Sequence, residues 1–263
     1  MSGAFIDRFS ELAVVYRAGR PTYPDQLFDA LAALAPGRDL AWDVGTGNGQ
    51  AATALARHFR AVHATDPSER QIAAAMPHGR VSYAEERAES VSLSDRSADL
   101  VLAAQSLHWF DLDGFYAEAS RVLKPGGVLA AIGYDWMYVS PEIDRGINER
   151  LLPRLAPFWA PQNALLWAGY RSIPFPGDEI RIGAFAIYLD WSFDDVRAYV
   201  ASWSAVRDFA ARGGQSALDE SLSEIGALWG AGQRRVVMPL HLRIARLWQA
   251  DSRGLIGAAL SPI

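Results

Sequence analysis

The sequence predicts an α/β protein organised on a mostly parallel, doubly wound sheet with helices on both faces. Three observations predict it. Short apolar runs alternate with helical segments between residues 40 and 132, and the links between them are short and rich in glycine. A tight loop, Gly45-Thr46-Gly47-Asn48-Gly49, stands between the first run and the helix after it. Right-handed crossovers then follow from strand twist.

Residues 1–20 read as a polar, helical lead-in. Arg20-Pro21-Thr22-Tyr23-Pro24 breaks it, because proline lacks an amide donor and restricts the residue before it. Asp25 is placed to cap a new helix in which Leu27, Phe28, Leu31 and Leu34 recur at helical spacing, and Pro36-Gly37 ends it. Residues 40–44 read as a first buried strand and 51–59 as a helix. Residues 61–65 read as a second strand ending at Asp66. Residues 68–76 form a helix capped by Ser68 or Asp66. Third and fourth strands are expected at 81–84 and 99–104. A helix over 112–123 closes at Lys124-Pro125-Gly126-Gly127, and a fifth strand covers 128–132. After Tyr134 the rhythm changes. Residues 136–181 are rich in Pro, Trp and Arg, carry no βαβ pattern and read as an insertion that covers something. Residues 183–191 alternate like a strand, 193–209 and 217–229 read as helices, and 236–248 supply a final strand or hairpin. The expected organisation is one structural domain in three parts: a core with its lead-in helix (1–135), a lid (136–181), and the rest of the sheet with C-terminal helices (182–263).

Half of the 263 residues are hydrophobic and 21% are charged, ample material for one sizeable core. The formal net charge is −5. A nucleic-acid binder normally brings a basic face to phosphates, so this balance speaks against one. The absence of cysteine excludes disulfides, thiolate zinc sites, iron–sulfur clusters and cysteine nucleophiles. No metal site is expected. The start of the chain lacks a charged region followed by an apolar stretch. No run approaches the ~18 apolar residues of a membrane helix. These features predict a soluble, cytoplasmic protein with no nucleic-acid or membrane partner, as a monomer or homodimer.

The chemistry concentrates in Asp43-Val44-Gly45-Thr46-Gly47-Asn48-Gly49. This loop falls where open α/β sheets bind ligands. Glycine suits a backbone in close contact with a ligand. The spacing is G-x-G-x-G, not the dinucleotide G-x-G-x-x-G. A carboxylate just before the turn repels a pyrophosphate but attracts an α-ammonium and a sulfonium. On electrostatic grounds the loop therefore favours S-adenosylmethionine (SAM) over NAD. Asp66 ends the second strand about 20 residues on, where an acid accepts hydrogen bonds from ribose hydroxyls; the alternative is that it caps the next helix.

With these motifs, residues 16–135 resemble the class I SAM-dependent methyltransferases, and within them the type 11 small-molecule methyltransferases. The glycine loop resembles the family's first motif and Asp66-Pro67-Ser68 its ribose-binding acid. Arg121-Val122-Leu123-Lys124-Pro125-Gly126-Gly127 is similar to the structural turn before the fifth strand. Tyr16, Arg20-Pro21, Tyr23-Pro24, Ala104-Gln105-Ser106-Leu107-His108-Trp109-Phe110 and Tyr170-Arg171-Ser172-Ile173-Pro174-Phe175-Pro176 resemble the trans-aconitate methyltransferase-like group. The resemblance implies a Rossmann-like sheet of seven strands with a helical lid after the fifth. It implies SAM as donor, S-adenosylhomocysteine (SAH) as product, and a cofactor site at Asp43, Gly45, Thr46, Gly47, Asp66, Pro67, Ser68 and Gln105. It also implies that the lead-in helix folds over SAM, with Tyr16 and Arg20 near its methionine carboxylate; Arg20 pairing with a surface acid is the alternative. Adenine is expected at Arg87-Ala88-Glu89. Many relatives carry an acid where this chain has Arg87. The Ala88 amide still serves the ring, and Glu89 either replaces that acid or is a solvated surface side chain.

Gln105 to Trp109 lie just past the fourth strand, facing the expected methyl group. His108 either takes a proton from an acceptor hydroxyl or amine, or only shapes the wall. Trp109 either faces the sulfonium or belongs to the core. The Asn/Asp-Pro-Pro-Tyr of adenine and glutamine amino-methylases is missing there. In the insertion, Arg145, Arg150, Arg154 and Arg171 are interleaved with aromatic residues. That composition suits a lid over a small, flat or anionic acceptor, or a helical cap with its own core. The expected acceptor pocket comprises His108, Trp109, Tyr134, Trp136 and Arg171. The expected function is methyl transfer to a small molecule, a carboxylic acid among the candidates. The rivals are a non-catalytic SAM or SAH binder, an NAD(P)-dependent oxidoreductase, and a methylase of macromolecules.

Overall fold

The computed structural model describes residues 21–247, so the predicted lead-in helix lies outside the described residues. The first half runs α1 (Asp25–Leu34), β1 (Leu40–Val44), α2 (Gln50–Leu55), β2 (Ala61–Asp66), α3 (Glu69–Ala73), β3 (Val81–Glu85), β4 (Ala98–Ala104), α4 (Leu112–Val122) and β5 (Leu123–Tyr134). The second half runs α5 (Pro141–Gly146), α6 (Leu152–Leu155), α7 (Asn163–Trp167), β6 (Asp178–Glu179), β7 (Ala186–Trp191), α8 (Phe193–Ala201), α9 (Ser204–Phe209), α10 (Gln215–Trp229) and β8 (Arg234–Arg246). The strand order is β3-β2-β1-β4-β5-β8-β6, with β7 paired to β8. β1 to β5 are parallel to their neighbours, and β8 is antiparallel to β5, β6 and β7. The eighth strand beyond the expected seven is the two-residue β6. Among the described residues, no helix is long and apolar enough to cross a membrane.

Period-two alternation explains why the central strands are apolar on both faces. Leu100 and Leu102 of β4, with Val128, Ala130 and Ile132 of β5, join Leu27, Phe28 and Leu31 of α1 and Ala52 and Leu55 of α2 on one face. The intervening Val101, Ala103, Leu129 and Ala131 join Phe115, Ala119 and Val122 of α4 on the other. Of the two caps left open for α3, Ser68 is the one observed, accepting from the Gln71 amide. Two local expectations change. Pro24, not Asp25, occupies the N-cap of α1, and the Asp25 carboxylate pairs with Arg57 at 2.5 Å. Lys124-Pro125-Gly126-Gly127 lies inside β5 rather than before it. The ladder to β4 shifts register between Ala98 and Leu100, and Lys124 Nζ anchors the stretch on Asp99 Oδ1 at 2.8 Å.

A third core belongs to a helical cap. α5, a π-helical turn (Ile147–Leu151) and α6 pack against α8, α9 and α10 around Ile143, Leu151, Leu155, Val200, Ile225 and Trp229. The cap core is thus made of two segments, 141–159 and 193–229, while α7 packs through Leu166 into the core on the α4 face. β8 links the cap to the sheet: its first half pairs with β7 and its second half with β5.

Candidate active site

The sheet changes direction between β1 and β4, and the crevice at the carboxyl ends of such strands is where α/β sheets place ligands. Here it opens into a cavity of about 480 Å³. One half is lined by the glycine loop, Asp66-Pro67-Ser68 and Arg87-Ala88-Glu89. The other is lined by Tyr134-Asp135-Trp136 and the cap, with Gln105, Ser106, His108, Trp109 and Phe110 between them.

The glycine loop is left-handed at three points, with φ of +66°, +55° and +85° at Gly45, Gly47 and Gly49. The three glycines serve different purposes. A Cβ on Gly45 would press on Ser106, and one on Gly49 would collide with the Tyr83 hydroxyl. A Cβ on Gly47 would meet nothing nearer than Gln71 Oε1 at 3.9 Å, so this backbone faces open space. Asp66 holds the loop in place. Its Oδ2 accepts from the Gly47 amide at 2.9 Å and its Oδ1 from the Ser68 amide at 2.9 Å. Asp66 also lines the cavity, which places its carboxylate beside a ligand along the loop.

The Asp43 side chain stands apart from the rest of the loop. It does not line the cavity; it is fully buried behind the loop. Alternation along β1 puts it on the face of Ala41, beneath α2. Oδ2 accepts from the Thr46 hydroxyl at 2.5 Å, while Oδ1 makes no hydrogen bond. Burial pushes the carboxyl up to about 7, against the pull of the Thr46 hydroxyl and the Ala52 amide. Asn48 Nδ2 is a second buried polar atom without a hydrogen bond. A buried acid able to gain charge, an open left-handed glycine and Asp66 fit a polar, cationic ligand lying along the loop.

Further along, Ala88 is buried in the wall. Glu89 is not a loose surface side chain: it accepts from the Asp111 amide at 3.0 Å and from Arg87 Nε at 3.3 Å. Gln105 sits at φ +56°, rare for a residue other than glycine. Its side-chain amide clamps the end of β5, donating to Tyr134 O and accepting from Tyr134 N, both at 3.1 Å. Gln105 thus ties the end of β5 to the cavity wall that it lines.

His108 is buried against Tyr170, with its Nδ1 3.2 Å from the Tyr170 hydroxyl. Burial drives its pKa down to about 3, only partly offset by a hydrogen bond with Asn163. The ring is neutral at physiological pH, and so low a pKa makes it a weak proton acceptor. Trp109 lines the cavity and packs on His108 at 4.7 Å. Tyr134 and Trp136 also line the cavity. Arg171 does not: left-handed Gly169 and Tyr170 (φ +63° and +57°) tuck the Tyr170 ring inward and leave Arg171 exposed outside the cavity. Tyr16 and Arg20 lie outside the described residues.

Sequence reasoning gave no site role to Tyr23, Gln71, Asn163, Trp203 or Tyr199, all of which line the cavity. Tyr199 lies on α8 and Trp203 just beyond its end, their rings 5.4 Å apart, and no local period names what they meet.

A methyltransferase domain model matches residues 42–131. A protein provisionally designated a methyltransferase in Dictyostelium discoideum is 31% identical over 220 residues, covering 82% of this chain and 84% of that protein. An uncharacterized methyltransferase of Mycobacterium tuberculosis is 36% identical over 127 residues, 47% of this chain and 51% of that one. Among solved structures, one from Anaeromyxobacter dehalogenans, provisionally designated a type II methyltransferase, superposes with a TM-score of 0.81. It is 41% identical and covers 86% of this chain and 97% of that one.

Proposed function

The chain belongs to the class I SAM-dependent methyltransferases, and from that premise we propose that it methylates a small molecule held beneath the helical cap. The observation that carries the proposal is the continuity of one cavity, from the glycine loop and Asp66 past His108 to the cap. When bound, SAM supplies an electrophilic methyl group on a sulfonium.

The chain's own residues do the positioning, which is most of the work in an in-line displacement. Gly47 leaves room along the loop, Asp66 presents its carboxylate to the cavity, and Ala88 and Glu89 bound the far end. We assign Asp43 to holding the loop through Thr46 rather than to touching the ligand. We assign His108, with Asn163 and Tyr170, to orienting the acceptor. Its low proton affinity leaves the acceptor's proton to go to solvent. The two helical segments of the cap together close the acceptor half.

Isothermal titration with SAM, SAH and NADH tests the reading. Micromolar binding of SAM and SAH without NADH is the expected result. Absence of SAM and SAH binding, or preference for NADH, would overturn it.

A further inference from the structure

The acceptor half of the cavity has a distinctive wall. Trp136 follows β5, Trp159 precedes α7, Trp167 ends α7, and Trp203 stands between α8 and α9. These elements are far apart in the chain, yet the four indoles converge. Trp136 lies 6.0, 5.3 and 5.7 Å, centroid to centroid, from Trp159, Trp167 and Trp203. Trp159 lies 5.6 Å from Trp167 and 5.7 Å from Trp203. All four line the cavity.

The charge on this wall is one-sided. Asp135 is its charged side chain, and no Lys or Arg lines this half among the described residues. Burial would raise the Asp135 carboxyl, but His241 and the Trp136 amide outweigh it and hold the group below the usual carboxylate range, hence ionised. An anionic ligand here would lose its hydration without gaining a cation, and would face both a carboxylate and the negative faces of the indoles. A planar ring gains offset or edge-to-face contacts with those indoles in addition to burial of its surface. Gln162, Asn163 and Ser204 are among the polar groups lining the same half that can hydrogen-bond a hydroxyl or amine on that ring.

Resting on the methyltransferase reading above, we infer that the acceptor is a planar aromatic or heteroaromatic molecule carrying a hydroxyl or amine and no negative charge. Such an acceptor departs from the carboxylic acid that the sequence resemblance suggests.

The test is binding to SAH-saturated protein of three probes of one size: 2-naphthol, its saturated counterpart decahydro-2-naphthol, and 2-naphthoate. Titration calorimetry, with indole fluorescence as a second signal, reads the affinities. The expected result is 2-naphthol binding at least about tenfold more tightly than either other probe. Trp159→Leu and Trp167→Leu should each weaken it about fivefold or more, with SAH binding reporting that each variant is folded. If SAH does not bind, the methyltransferase reading falls and the inference falls with it. If SAH binds but 2-naphthoate or decahydro-2-naphthol matches 2-naphthol, or no probe binds, the inference alone is overturned. Equal 2-naphthol affinity in the folded Trp variants would overturn it too.

Discussion

Gly45 and Gly47 share a loop and nearly the same backbone angle, yet alanine at the two positions should do different things. A left-handed conformation costs an L-residue roughly 1–2 kcal/mol. Lower freedom in the unfolded chain returns about 0.4–1 kcal/mol. At Gly47 little else is added, because a Cβ has no protein atom nearer than 3.9 Å. The net loss is about 1 kcal/mol, or a melting temperature lower by roughly 2–4 °C. At Gly45 a Cβ would sit 2.5 Å from Ser106 Cβ and 3.2 Å from Phe110 Cζ. Ser106 is held by its own hydroxyl, which donates to Val44 O at 2.9 Å. Such overpacking adds about 1–3 kcal/mol. The total is about 3 kcal/mol, and the melting temperature should fall by roughly 6–12 °C. Ligand binding should follow a different order. The new methyl of Gly47→Ala projects into the cavity, so SAH affinity should fall about tenfold or more despite near-native stability. Differential scanning fluorimetry without ligand and titration calorimetry with SAH read the two quantities. Native SAH affinity in Gly47→Ala, or equal melting temperatures for the two variants, would refute the division of roles.

Three further outcomes follow from the charges. Asp43 has a folded pKa of about 7 against an ordinary 3.8, so the folded protein holds a proton that the unfolded chain gives up. Wild type should therefore lose stability relative to Asp43→Asn as pH rises from about 4 to 7, and parallel melting curves across that range would contradict the assignment. His108 has a folded pKa of about 3, so it should contribute stability above its ordinary pKa that is lost as pH falls below about 6.5. Its imidazole carbon and proton shifts, followed by NMR, should stay flat between pH 5 and 8; an inflection near 6.5 would show an accessible ring. Lys124→Met leaves the buried Asp99 carboxylate without its cation, and should cost about 3 kcal/mol while SAH affinity stays unchanged. A fall in SAH affinity would mean that the Lys124 turn reaches the site.

The parts that were legible in the sequence share a cause: their signal is local. Alternation in β4 and β5 shows because both faces of a central strand are buried. The glycine loop shows because left-handed backbone selects glycine within a few residues. Asp66 shows because one β/α unit fixes its distance from that loop. The cap shows only as composition. Its core joins residues from 141–159 to residues from 193–229, and no period in either segment names the other. His108 reads as a base because an unperturbed imidazole titrates near neutrality. Its burial comes from Asn163 and Tyr170, more than fifty residues away. Arg171 reads as a pocket cation because it sits among aromatic residues. A two-residue left-handed turn, selected by one glycine, sends it outward.

Asp43 differs from these cases, because its placement follows from information already in the strand. Residues two apart share a face, so Asp43 must follow Ala41 toward α2 while Trp42 and Val44 face α4. Electrostatic complementarity to a cationic ligand makes an acid before a glycine turn look like a direct contact. Strand geometry puts that acid one layer below the surface. The two arguments agree on charge and disagree on distance, and distance decides the chemistry. A carboxylate in contact with the ligand would be ionised and solvated, whereas this one is fully buried, has its pKa pushed up to about 7 by that burial, and is bonded to Thr46. It acts on the ligand through the loop that it holds.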